Sequence, residues 1–333
     1  MPNVKITAPK KGGEQYIPYE NRIGNESIVY FTRDLSAEGL RKAYEKVNAG
    51  ICGKVAVKLH TGEKNGPNII PRPWVKELLE KDIKNATIVE TNTYYDGDRY
   101  TTKQHRETLE VNGWDFVPVD IMDEEGTKML PVKGGKWFTE MSVGDHMTEY
   151  DSMLALTHFK GHTMGGFGGS NKNLGIGCAD GRIGKGMIHS KEGGMWNVVE
   201  EELMEKISES AKATVDYFGK HITFVNVMRN MSVSCDCEGV AAEPVVTPDI
   251  GILSSTDILA IDQACVDLIF ALTKDDNKAM IERFTTRHGF RQLSYMKEIG
   301  MGNDRYVLID LDNGERRITL KDALKDVKPF GTK

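Results

Sequence analysis

Segments of strand length alternate with helical patterns along most of the chain. Apolar segments at residues 27–32, 54–59 and 86–90 are each followed by a stretch whose apolar residues have helical spacing. Beyond residue 194 the pattern resumes with a long amphipathic helix at 199–215. Strands that alternate with helices pair in parallel and bury both faces under those helices. The sequence therefore predicts an α/β fold with mostly parallel sheets and helices on both faces.

The restart of this pattern also indicates how the chain is divided. We expect an irregular lead-in over residues 1–25, an N-terminal α/β domain over 26–190 and a second α/β domain over 191–333. The two domains would enclose a cleft between them.

Residues 157–191 are the most biased stretch, with ten of the 34 glycines, three histidines, a cysteine and four lysines. Glycine lets the backbone approach a ligand closely and adopts positive φ angles that other residues avoid. A flexible linker is the alternative, but linkers are poor in His, Cys, Met and Phe. We therefore interpret the stretch as a binding loop. Its candidate cofactor contacts are Gly166, Gly168, Gly169, Lys172 and Asn173, and its candidate metal ligands are His158, Cys178 and His189.

Polar residues follow two of the predicted strands. Lys58 and His60 close one strand, and Asn92 and Arg99 come after the next. The carboxyl ends of parallel strands converge on one crevice, where open α/β sheets bind their ligands. We expect Lys58 to contact a cofactor, His60 to act in catalysis, and Asn92 and Arg99 to hold the substrate. Gln263 is a further substrate-binding candidate, with helix capping as its alternative role. Loop polarity with surface ion pairs is the alternative for the others.

Cys235 and Cys237 are separated by one residue, so both sulfurs can reach one metal ion from a turn. Thiolate together with imidazole favours iron, nickel or zinc over magnesium or calcium. A disulfide switch is the alternative for this pair. No series of CxxC motifs is present, so we do not expect a ferredoxin-type iron–sulfur cluster.

The charge of the chain argues against a nucleic-acid partner. The formal net charge is -6 and the pI is about 5.8, without the basic footprint that nucleic-acid binding needs. The sequence has no apolar run of membrane-spanning length and opens on no secretory leader. We therefore expect a cytoplasmic protein without a membrane partner. A homo-oligomer and a redox partner protein both remain open.

Five segments carry a family resemblance. They are KVAVKLHTGEKN, ETNTYYDGDR, THFKGHTMGGFGGSNKNLGIGC, SCDC and PDIGILSSTDILAIDQACVDLI, and they resemble the domain-of-unknown-function 362 (DUF362) family. Many members of that family carry an inserted ferredoxin-like module with repeated CxxC motifs and are called iron–sulfur centre proteins. In this chain residues 191–218, where the insert is expected, contain no cysteine and have the pattern of an amphipathic helix.

The glycine-rich stretch has a second, weaker resemblance, to the nickel-dependent lactate racemases. It rests on His162 and Lys172, which flank a Gly-aromatic-Gly turn, and on His189, which follows Lys172 by 17 positions. The resemblance implies that Lys172 carries a covalent nickel-pincer nucleotide, that His162 acts as acid or base, and that His189 ligates nickel. The racemases place another catalytic histidine after an earlier strand, but residues 91–99 contain none.

These features together favour an enzyme. We expect a metal-dependent or metal-cofactor-dependent enzyme that performs redox or proton/hydride chemistry on a small anionic organic substrate. His162, Lys172 and His60 would be catalytic. One alternative is a non-catalytic metal-binding or electron-transfer protein. Another is a metal-free phosphate- or nucleotide-binding enzyme, although the usual GxxxxGK[ST] fingerprint is absent.

Overall fold

The computed structural model describes residues 13–331 except 193, 195, 196 and 199. Position 199 of the predicted amphipathic helix and the first part of the predicted lead-in lie outside the described residues. The strands are β1 (Glu26–Thr32), β2 (Val55–Lys58), β3 (Ala86–Glu90), β4 (Val119–Ile121), β5 (Thr127–Pro131), β6 (Glu140–Gly144), β7 (Ser152–His158), β8 (Lys160–His162), β9 (Gly166–Gly168), β10 (Ile222–Met228), β11 (Gly251–Ser255), β12 (Arg305–Asp310) and β13 (Arg316–Ile318). The helices are α1 (Ala37–Glu45), α2 (Arg72–Asp82), α3 (Thr102–Val111), α4 (Ser170–Gly177), α5 (Gly184–His189), α6 (Glu200–Phe218), α7 (Ile258–Ala271), α8 (Lys274–Thr286), α9 (Phe290–Glu298) and α10 (Leu320–Leu324).

A nine-stranded sheet in the order β13-β12-β1-β11-β10-β7-β2-β3-β4 forms the centre of the molecule. Within it, β11 is antiparallel to both of its neighbours and β13 is antiparallel to β12, while the other pairs are parallel. The predicted α/β fold with a mostly parallel sheet is confirmed. Strands from both sides of residue 190 are neighbours in this sheet, because β10 pairs with β7. The division at residues 25 and 190 stays a prediction.

Helices cover both faces of the sheet, and strand β7 shows why. All seven of its residues are buried. Met153 and Ala155 belong to the apolar cluster that includes α4, α6 and α7, whereas Leu154 and Leu156 belong to the cluster with α1 and α2. Successive side chains of a strand point to opposite faces, so an apolar strand without polar alternation must be covered twice.

The structure differs from the sequence prediction in the glycine-rich stretch. In place of one loop, the chain forms the short hairpin of β8 and β9, then α4 and α5. Two of the eight α4 residues are glycines, and each costs a helix about 1 kcal/mol relative to alanine. Packing against α6 and α7 overrides that propensity. Strand β4 begins at Val119, directly after a proline that has no N–H for the ladder.

Three elements outside the glycine-rich stretch were not predicted from the sequence. Strands β5 and β6 pair as a separate two-stranded sheet, and α9 follows α8 closely. None of the helices in the described ranges combines the length and the apolar character that a bilayer span requires.

Candidate active site at the carboxyl ends of the central strands

A cavity of about 560 Å³ opens where β2, β3 and β7 end. This is the edge at which parallel strands of an open sheet deliver their polar residues. Most of the predicted site residues line it, and they come from five separate parts of the chain. They are Lys58, His60, Arg99, His158, His162, Gly168, Gly169, Lys172, Asn173, His189, Cys235 and Cys237.

Three possible metal ligands meet at one wall of this cavity. Ligand atoms of His162, Cys235 and Cys237 all lie within 4.8 Å of one another. His162 ends β8, and the two cysteines lie on the loop after β10, which contacts β8 through the hydrogen bond from the N–H of Gly161 to Ser232. A Cβ at position 161 would meet the backbone of Val233 at 2.5 Å. Glycine at this position therefore lets the two segments approach closely enough to join the three side chains.

The two thiols of this cluster differ in protonation. A hydrogen bond from the Cys237 thiol, with the nearby His162 and Lys172, holds the pKa of Cys235 well below its ordinary value despite burial. The same hydrogen bond and burial raise the pKa of Cys237 well above its ordinary value. Of the two thiols, Cys235 therefore loses its proton more readily.

His162 is held in one tautomer. Its Nδ1 accepts hydrogen bonds from the backbone N–H groups of Met164, at 3.0 Å, and Gly165, at 2.9 Å. Burial and then the charge of Lys172 lower the pKa of His162, so the ring is neutral. The proton of a neutral ring whose Nδ1 is an acceptor lies on Nε2. This side chain also hydrogen-bonds Cys235, so it presents an N–H to that sulfur.

Several cations around the cavity are already neutralised by carboxylates. Lys58 Nζ lies 2.9 Å from Glu90, and the Arg99 guanidinium donates two hydrogen bonds, of 3.0 and 2.8 Å, to Glu63. Burial opposes the charge of Glu90, but Lys58 and Arg99 outweigh it and lower its pKa. In the same way Lys160 Nζ lies 2.8 Å from Asp236.

His60 and Glu63 complete the environment of Arg99. Burial and then the charge of Arg99 lower the pKa of His60 to about 4, so this ring is neutral at pH 7. Glu63 was not among the predicted site residues. It follows the same strand as Lys58 and His60, and that position is the signal by which it could have been found.

Lys172 and Lys185 are different from these paired cations. Both line the cavity, and neither makes an ion pair with a carboxylate within the part of the chain that the structure describes. Lys185 donates to the Thr91 hydroxyl and to the carbonyl oxygens of Asn92 and Ala179. Burial lowers the pKa of Lys185 to about 8. The ammonium groups of Lys172 and Lys185 are therefore positive charges of the cavity wall that no carboxylate of the described residues neutralises.

Three glycines of the stretch pack closely against buried charged side chains. A Cβ on Gly177 would meet Lys58 Cε at 2.2 Å, and one on Gly168 would meet Lys160 Cε at 3.4 Å. A Cβ on Gly169 would meet the carboxylate of Asp262 at 2.4 Å.

Asp262 is a site-positioning residue that was not predicted. It is fully buried, and its two oxygens accept from the backbone N–H groups of Ser170 and Asn171 at 2.7 and 2.9 Å. It therefore caps the start of α4 in place of Gly169, which has no side chain to do so. The α4 helix in turn carries Lys172.

Four predicted site residues lie outside the cavity wall: Asn92, Gly166, Cys178 and Gln263. Gln263 donates to Asp267 at 3.0 Å, and Asn92 donates to Thr102 at 3.1 Å. Gly166 packs against the backbone of Gly289. Cys178, which follows α4, is buried in the apolar cluster, and this burial raises its pKa to about 11.

His158 lines the cavity, but both of its ring nitrogens are engaged. Nδ1 lies 2.9 Å from Asp236, and Nε2 lies 2.7 Å from the carbonyl oxygen of Arg229. A metal ligand needs one nitrogen with its lone pair available. His189 lines the cavity as well and faces the ring of Tyr94, with centroids 6.3 Å apart.

Comparisons with known proteins identify a family and give two solved structures with low similarity to this chain. A family model described as "Domain of unknown function (DUF362)" matches residues 55–267. A search among curated proteins gives no significant match. The lactate racemase apoprotein from Thermoanaerobacterium thermosaccharolyticum is 10% identical, with a TM-score of 0.37 over 85% of this chain and 82% of that chain. A structural-genomics protein from Thermotoga maritima is 14% identical, with a TM-score of 0.36 over 57% of this chain and 49% of that chain.

Proposed function

The chain belongs to the DUF362 family, and we propose that it is a metal-dependent enzyme that acts on an organic anion in the cavity. One observation carries the proposal: His162, Cys235 and Cys237 bring possible ligand atoms within 4.8 Å of one another at the cavity wall. Soft thiolates together with imidazole suit iron, nickel or zinc.

The donor set fits such an ion in charge as well as in type. The pKa of Cys235 lies well below its ordinary value, and a bound cation would displace the thiol protons that remain, because metal ligands must be deprotonated. A divalent ion held by two thiolates is neutral overall. The ammonium of Lys172 then remains to attract an anionic substrate.

His162 has a separate role in this proposal. Its Nδ1 is occupied by two backbone N–H groups, so ligation through Nε2 would require loss of the ring proton. We assign the two thiolates as the protein ligands and His162 as the hydrogen-bond donor that presents its Nε2 proton to the reacting centre. The metal would supply Lewis acidity or redox capacity.

The burial of the cluster supports an enzyme over an electron carrier. Cys235 is 3% exposed and His162 is 8% exposed. A protein that passes electrons to a docked partner needs its ligands near the surface, whereas a catalyst gains from a cavity that excludes bulk water. The electron-transfer protein and the metal-free phosphate-binding enzyme are the alternatives that the experiment must separate.

Metal analysis of anaerobically purified protein tests the proposal. We expect stoichiometric iron, nickel or zinc in the wild type and its loss in Cys235→Ser and Cys237→Ser. The control Cys52→Ser changes an exposed cysteine and should keep the metal. His162→Gln should also keep the metal; if it does not, His162 is a ligand. Metal-free protein in which all variants behave alike would refute the metal site.

Intact mass tests the covalent cofactor that the racemase resemblance implies. Under that hypothesis the wild type has an added mass that Lys172→Met lacks. An unmodified mass would leave Lys172 with the non-covalent role of attracting the anion.

A further inference from the structure

We propose that the ligand of this cavity is an amphipathic organic anion, with a carboxylate or phosphate head and an apolar body of ring size. The inference rests on the proposed function for the position of the head beside the metal ligands. The apolar body is argued separately, from the cavity wall.

The residues on one face of α4 indicate how the ligand is oriented in the cavity. Lys172, Asn173, Ile176 and Gly177 line the cavity, which is the spacing of residues on one side of a helix. Lys172 lies in the first turn and Ile176 one turn later, about 6 Å further along the axis. The charged position is next to His162, because a Cβ on Gly165 would lie 3.4 Å from His162 Nδ1 and 3.6 Å from Lys172 Cδ. The cavity wall therefore changes from cationic to apolar along the helix.

Helix α6 extends the apolar part of the wall. Leu203 and Ile207, four residues apart, also line the cavity, and each is 1% exposed. Gly175 permits close packing of the two helices, because a Cβ there would meet the carbonyl oxygen of Ile207 at 2.3 Å. Ile176, Leu203 and Ile207 thus belong to one apolar surface, which two closely packed helices present to the cavity.

The cavity has room for a ligand larger than a compact anion. Its volume of about 560 Å³ is within the range of about 300–1,000 Å³ that encloses ligands of drug size. A compact acid bound at Lys172 would leave the half-buried side chain of Ile176 facing water, and burying that apolar side chain is favourable. An apolar group attached to the head fills the space and gains this burial.

Two fluorescent probes that differ in one charge test the inference. The probe 8-anilinonaphthalene-1-sulfonate has an anionic head on an aromatic body, and N-phenyl-1-naphthylamine has the same body without the anion. We expect one sulfonate probe per chain. Lys172→Met should weaken its binding roughly tenfold or more, the typical effect of losing a charged partner. The same substitution should weaken binding of the uncharged probe by less than about twofold. Lys103→Met, on the exposed face of α3, is the matched control.

Changes at Ile176 test the apolar part. Ile176→Ser makes the surface polar, and Ile176→Phe fills the cavity without adding polarity, so both should weaken both probes. Circular dichroism of each variant checks that it is folded. The inference is refuted if neither position affects either probe, or if methanesulfonate displaces the sulfonate probe at equal concentration.

Metal content separates this result from the proposed function. The titrations are made on metal-loaded and metal-stripped protein. If the protein has no metal site but probe binding still depends on both Lys172 and Ile176, the metal proposal fails and the ligand class is supported. Retained metal with no dependence on Ile176 would instead support the metal site and refute the apolar body of the ligand.

Discussion

Gly177→Ala should destabilise the protein, although glycine to alanine in a helix is normally favourable. Gly177 is the last residue of α4, where the usual gain is at most about 1 kcal/mol. Here the new Cβ would lie 2.2 Å from Lys58 Cε and 2.6 Å from its Nζ. The ammonium must move, and it is the group that neutralises the buried carboxylate of Glu90 at 2.9 Å.

The magnitude follows from the charge that is left behind. Removing one partner of a buried ion pair costs about 3–5 kcal/mol, because the other charge stays in the interior. Subtracting the helix gain of up to about 1 kcal/mol leaves a net loss of about 2–4 kcal/mol. Urea denaturation followed by circular dichroism measures it.

Two further variants serve as controls for the Gly177→Ala measurement. In Gly126→Ala the added Cβ would come no closer than 3.7 Å to Asp145, so the change should stay within about 0.5 kcal/mol. In the background Lys58→Ala/Glu90→Gln, where no charge can be displaced, the added cost of Gly177→Ala should vanish. A Gly177→Ala protein as stable as the wild type would refute the reasoning.

Three other outcomes are expected. Arg22→Met should cost about 3–5 kcal/mol in urea denaturation, because it leaves Asp267, 2.5 Å from the guanidinium and fully buried, without its partner; no loss would mean that the pair is dispensable. Burial raises the pKa of Asp262 to about 6, so this group binds its proton more tightly in the folded state, and relative to Asp262→Asn the wild type should lose stability as the pH rises from about 4 to 6. A stability difference between the wild type and Asp262→Asn that stays constant over this pH range would contradict the prediction. The pH dependence caused by Glu90 has the opposite sign. Lys58 and Arg99 lower the pKa of Glu90 against the effect of burial. The contribution of Glu90 to stability is therefore present above about pH 4.3 and is lost as the pH falls below that value. Relative to Lys58→Met/Glu90→Gln, the wild type should lose stability on acidification, and equal acid sensitivity of the two proteins would refute the assignment.

The local pattern determined the elements of the sheet and the edge at which the site lies. Strands β1, β2 and β3 were predicted from apolar runs of strand length, and alternation with helices indicated parallel pairing. That pairing brings the residues after β2 and β3 to one edge, so Lys58, His60 and Arg99 were correctly expected to lie together. These inferences succeed because period and turn chemistry act over a few residues. The proximity of Cys235 to Cys237 is local in the same sense.

The tertiary structure alone decided which charges remain available. Glu90, which neutralises Lys58, is 32 residues away, and Asp262, which caps α4, is 92 residues from Ser170. No periodicity encodes such pairs, since they depend on how strands and helices pack. Gly168 and Gly169, interpreted as ligand contacts, both line the cavity, and only the folded chain shows that Gly169 and Gly177 also provide clearance for buried charged side chains. Whether a residue can reach a ligand depends on what already occupies its polar atoms, and only the folded chain determines that.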